Sequence, residues 1–160
     1  MINRLLLLLA IGIVCVACAD KSTTPDDSVQ FENKEFIKAT IGGNSYSSGI
    51  VIQQGRVGDD GKMDFSLRGT DLAGLQLSVA FTSATTGTFT FGDGSGSASM
   101  STMQNVGGSL AIYTGTDGTL TVDKIDMTAK RAKGRFSGTL KASTGETLTV
   151  TDGTFEGDWN

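Results

Sequence analysis

The chain has 160 residues, 38% of them hydrophobic, with 22 Gly, a single Pro and a net charge of −4, which suits one compact domain and excludes a basic nucleic-acid-binding surface. Histidine is absent and both cysteines fall in the first eighteen residues, so Ser-His-Asp, Cys-His and zinc-hydrolase chemistry are excluded within this chain. At the N-terminus, residues 1–4 carry a short basic start, residues 5–14 are apolar apart from Gly12, and Cys15-Val16-Ala17-Cys18 follows. The apolar run is shorter than the roughly twenty residues that a bilayer crossing requires, so residues 1–17 are expected to be an export signal.

The small Ala17 before Cys18 resembles the bacterial lipobox, with Cys15 where lipoboxes usually carry Leu. What the resemblance implies is cleavage before Cys18, a thioether-linked diacylglycerol on its sulfur and acylation of the new N-terminus. Several acyl chains, each methylene contributing about 0.8 kcal/mol, would hold the protein at a membrane. The mature chain then has no cysteine, and a disulfide-stapled scaffold is ruled out. Residues 18–34 are expected to be the lipidated N-terminus and a disordered tether. Asp20, Asp26, Asp27, Glu32 and Pro25 offer little apolar surface to offset the entropy of ordering.

Residues 35–160 are expected to form one antiparallel β domain, because the apolar period is two and no window holds helical spacing over three turns. The clearest strand has Leu75, Leu77, Val79 and Phe81 on one face and Gln76, Ser78, Ala80 and Thr82 on the other. The same reading applies to Phe89 and Phe91, to Leu110 and Ile112, and to Leu148 and Val150, with β-branched Thr filling the solvent faces. Turn signals fall at Gly42-Gly43-Asn44, Asp59-Asp60-Gly61, Gly92-Asp93-Gly94, Thr116-Asp117-Gly118, Ser143-Thr144-Gly145 and Asp152-Gly153. Core parity changes between Leu120/Val122 and Ile125/Met127, and between Leu148/Val150 and Phe155/Trp159, which predicts irregularities near Asp123-Lys124 and at Asp152-Gly153. The fold class is therefore all-β, a single antiparallel sandwich or barrel of about ten short strands, with the sandwich preferred.

Gly-x-Phe-x-Gly occurs at Gly134-Arg135-Phe136-Ser137-Gly138 and Gly153-Thr154-Phe155-Glu156-Gly157, with a looser relative at Gly87-Thr88-Phe89-Thr90-Phe91-Gly92. Spacings of 47 and then 19 residues exclude a propeller or solenoid and mark the Phe residues as core anchors between bends. Together with the lipobox, the Phe36-to-Tyr46 opening and the stretch from Gly118 to Leu140, these motifs give the mature chain a pattern similar to a family of small Bacteroidota outer-membrane lipoproteins of unknown function. The resemblance implies an exported, lipid-anchored β domain in a Gram-negative envelope. It brings no catalytic or binding residues with it.

Asp59, Asp60 and Asp64, with Asp93 in a Gly/Ser loop, are weak candidates for calcium ligands, set against the commoner role of Asp-Gly in hairpin turns. No spacing marks a carboxylate pair for hydrolysis. Arg131, Lys133 and Arg135 alternate along one strand face and form a candidate surface for an anionic partner, set against a solvated face that discourages edge pairing. Tyr46, Tyr113 and Trp159 are too few to make a sugar-stacking platform, and Trp159 reads as core closure. The expectation is a non-enzymatic binding or accessory module, anchored to the outer membrane through Cys18, with no cofactor and with a glycan or another envelope protein as partner. The alternatives are a structural or assembly lipoprotein and a carboxylate-based envelope hydrolase.

Overall fold

A computed structural model of the chain describes residues 30–32 and 34–159. Ten strands form: β1 (Phe36–Ile41), β2 (Asn44–Ser47), β3 (Ile50–Val57), β4 (Met63–Thr70), β5 (Gln76–Ser83), β6 (Gly87–Thr90), β7 (Ala98–Val106), β8 (Ser109–Asp126), β9 (Arg131–Ala142) and β10 (Thr147–Asp158). All pair antiparallel in one sheet of order β2-β1-β10-β9-β8-β7-β5-β4-β3, with β6 alongside the later half of β8. The expected all-β class is therefore what forms. Of its two versions the chain follows the barrel: one sheet curls as a half-barrel, where a sandwich would stack two sheets.

The connectivity explains the curl. Sequential hairpins run round the sheet, and the first strand β1 then pairs with the last, β10. Between β2 and β3, Ser48 donates its N–H to Ile37 on β1 and Gly49 donates to Thr70 on β4, so this short link spans the gap between the two ends of the sheet. Strand alternation then sends one set of side chains inward: Met63, Phe65 and Leu67 from β4, Leu77, Val79 and Phe81 from β5, and Leu120 and Val122 from β8. Phe65 lies 5.2 Å from Phe81 and 6.0 Å from Phe155, ring centroid to centroid, in tilted pairs that each add about 0.5–1.5 kcal/mol beyond area burial.

The two Gly-x-Phe-x-Gly segments lie side by side on β9 and β10, and each supplies the glycine opposite the other's aromatic ring. Gly153 pairs with Phe136 and Gly134 with Phe155. A methyl group on Gly134 would lie 2.1 Å from the Thr121 carbonyl oxygen and 2.8 Å from the Phe155 ring. Only a bare α-carbon leaves room for the neighbouring ring and carbonyl at these two positions.

Bulges account for where the sequence pattern misleads. Register shifts occur between Val122 and Lys124 and between Val150 and Gly153, the two predicted irregularities. A third, between Gly115 and Asp117, was not expected, and Thr116-Asp117-Gly118 is consequently no turn but part of the 18-residue β8. That bulge inverts parity: Tyr113 points inward with no exposed surface, while Leu110 and Ile112, expected in the core, are 66% and 54% exposed. Asp152-Gly153 likewise is a bulge inside β10, with Asp152 at φ +53°. Leu75 and Phe89 are partly buried against the core, and Met127 is exposed.

Candidate functional site

The outer face of β8, β9 and β10 holds the densest set of charges and receives the end of the predicted tether. Register places Lys133 between Glu156 and Lys124, and Arg135 between Thr154 and Thr121. Glu156 is 1% exposed, and Arg131 binds it with Nη2 to Oε1 at 2.7 Å. The other carboxylate oxygen of Glu156 accepts the backbone N–H of Glu32 at 2.9 Å. Phe31 lies under two cations, Lys124 at 4.9 Å and Arg131 at 5.2 Å from its ring centre, and Lys133 donates to the Gln30 carbonyl. Arg135 grips Asp123 with two N–H groups, Nε to Oδ2 at 3.0 Å and Nη2 to Oδ1 at 2.9 Å, which raises the guanidinium pKa further. The alternating residues Arg131, Lys133 and Arg135 do share a face, but each is engaged by this chain's own groups, and residues 30–32 form a strap across them.

Immediately after the strap, Glu35 meets Asp158. Gln53 on β3 donates one amide N–H to Oε1 of Glu35 at 3.0 Å and another to Oδ1 of Asp158 at 3.1 Å. The hydrogen bond to Asp158, together with burial and the Asp158 charge, pushes the Glu35 carboxyl up to about 7, against a smaller opposing pull from Arg131. A carboxyl held near neutrality has the right acidity for proton transfer. The larger cavities, of about 360, 430 and 360 Å³, are lined by other residues. Sequence reasoning missed the pair because 123 positions separate its members.

The predicted cation ligands stay apart. Asp60 caps the β3–β4 turn through the Lys62 N–H and ammonium, which holds its carboxyl below the usual range, and Asp59 is exposed beside it. Asp64 sits on the outer face of β4, accepting from Thr82 at 2.8 Å and pairing with Arg56 at 3.4 Å. Asp93 closes an Asx turn on Ser95, which lowers its pKa in the same way. Among the described residues no three acidic, Cys or His side chains gather as a metal site. Cys18 lies outside the described residues. Tyr46 and Trp159 are buried, and so is Tyr113, whose hydroxyl donates to Glu146 at 2.8 Å and accepts from Gln104 at 3.1 Å.

Two of the surface grooves bear on binding. One, of about 430 Å³, has walls of Thr119, Thr121, Ser137 and Thr154 with Arg135 and Asp152 at its rim. The other, of about 360 Å³, has an apolar floor of the outward-turned Leu110 and Ile112 with Val106, Ala111 and Ala142, bordered by Ser109, Ser143, Thr144 and Glu146. What fold and face define is a class: an antiparallel half-barrel whose charged outer wall is crossed by its own N-terminal strap. Comparison of the chain with protein-family models, with curated proteins and with solved structures gives no match in any of the three.

Proposed function

We propose that the protein is a lipid-anchored, non-enzymatic binding module of a Gram-negative cell envelope, moored to the outer membrane by acyl chains on Cys18. The observation that carries this reading is the apolar run of residues 5–14 ending at Ala17-Cys18, the arrangement of an exported lipoprotein. Residues 19–29 then separate the lipid from the strap, a span of at most about 40 Å when extended, enough to clear the head groups. A binding role is supported by the apolar groove at Val106, Leu110 and Ile112, a surface that suits a partner protein of the same envelope. A glycan partner is the second reading, and the hydroxyl-lined groove flanked by Arg135 and Asp152 favours it.

Replacing Cys18 by serine tests the anchor. The wild-type protein is expected to sediment with membranes, while Cys18→Ser loses membrane association by roughly tenfold or more, because its acyl chains are gone. Equal amounts of both proteins in the membrane pellet would overturn the proposal. In-cell crosslinking of the anchored form, with and without Leu110→Ser, then reads the partner: loss of an envelope-protein adduct in the variant is the expected outcome, and an unchanged adduct would remove the groove from the interface.

A further inference from the structure

Among the described residues backbone pairing does not close the curl: β2 and β3 are left as edge strands of the sheet. Among the described residues β3 pairs with β4 alone and β10 with β1 and β9, yet β3 comes against β10 across the curl. Side chains close this seam. Trp159, 3% exposed, stacks onto Gly55 of β3 so closely that a methyl group there would sit 2.4 Å from its β-carbon. The Trp159 ring also stands edge-on to Phe65 at 6.1 Å. Beside it, Gln53 on β3 spans the gap with its two hydrogen bonds to Glu35 and Asp158.

We propose that Glu35, Asp158 and Gln53 form a proton-locked latch that holds the β3–β10 seam shut and releases it when the shared proton is lost. Glu35 and Asp158 each bring a carboxyl oxygen within 3.1 Å of the same Gln53 nitrogen, and two carboxyl groups held so close repel unless one of them keeps its proton. The groups that face Glu35 are Asp158 on β10, Gln53 on β3 and Arg131 on β9, and Arg131 is already committed to Glu156 at 2.7 Å. It therefore offsets only part of the repulsion. The sign follows from the direction of the Glu35 shift, upward from 4.5 to about 7. A raised carboxyl pKa gives stability that is fully present below the ordinary value and is lost as pH rises through the folded one. The latch is thus closed in mildly acidic surroundings and loosens across neutrality. Because Glu35 lies between the strap and β1, loosening frees the root of the strap as well as the seam.

Trp159 is the single tryptophan of the chain and reports directly on the seam. Acrylamide quenching of its fluorescence is to be measured on the full-length mature protein from about pH 5 to about pH 9, with far-UV circular dichroism to confirm a folded sheet throughout. The wild-type quenching constant is expected to rise at least about twofold with a midpoint near 7. In Glu35→Gln, whose amide donates to Asp158 without titrating, the constant stays at the low-pH wild-type value across the range. A wild-type pH response retained in Glu35→Gln, or no response in the wild type, would overturn the latch. Should Glu35→Gln fail to fold, NMR titration of the wild-type Glu35 carboxyl decides: a midpoint near 7 supports the proposal and one near 4.5 overturns it.

Discussion

Gly134→Ala is expected to destabilise the β domain by about 3 kcal/mol, several times the ordinary propensity cost of losing a strand glycine. The added methyl would meet the Thr121 carbonyl oxygen at 2.1 Å, and that oxygen belongs to the backbone of β8, so no rotamer change relieves the clash. The Phe155 ring, at 2.8 Å, closes the other side. Either β8 and β9 separate, losing ladder hydrogen bonds in the middle of the sheet, or Phe155 leaves its place against Phe65 and Phe81. Gly145→Ala is the control, since at φ +91° it meets backbone strain but nothing within 4 Å, and its cost should stay near 1 kcal/mol. Urea unfolding measures both. A loss below about 1 kcal/mol for Gly134→Ala would mean that β8 and Phe155 do not pack on Gly134 as closely as described.

The second large effect is at Glu156. Its carboxylate is 1% exposed and takes the Arg131 guanidinium on one oxygen and the Glu32 N–H on the other. Removing it in Glu156→Ala breaks a buried ion pair, for which the expected loss is about 3–5 kcal/mol. The strap should detach as well, because the acceptor for Glu32 is gone, and limited proteolysis should then cut near residues 30–34 at least about tenfold faster. Glu156→Gln keeps an acceptor and should recover part of both effects. Arg135→Ala breaks an ion pair whose arginine is 68% exposed, and its melting temperature should stay close to that of the wild type. Equal losses in Glu156→Ala and Arg135→Ala would show that the Arg131 pair is solvated.

The alternation through Leu77, Val79 and Phe81 was legible because a half-buried antiparallel strand prints its faces directly onto odd and even positions. The bulges at Asp123 and Asp152 were legible for the same reason: apolar residues on both sides showed the parity breaking. The bulge at Thr116 left no such trace. Leu110 and Ile112 share parity with Leu120 and Val122, so a straight strand seemed to serve them all, and only the inward Tyr113 betrays the shift. The site was less legible than the fold. The alternation of Arg131, Lys133 and Arg135 showed a common face, but their partners Glu156, Asp123 and Gln30 come from other strands and from the tether. Glu35 and Asp158 meet only because the last strand returns to the first, a consequence of closing the curl that no local pattern encodes.

Mooring of the proposed envelope module by lipid is read from the intact mass of the protein purified from membranes of the cells that make it. The expected product is a chain that starts at Cys18 and carries a thioether-linked diacylglycerol together with an N-terminal acyl group. A chain that retains residues upstream of Cys18, or one that carries a free thiol there, would contradict it.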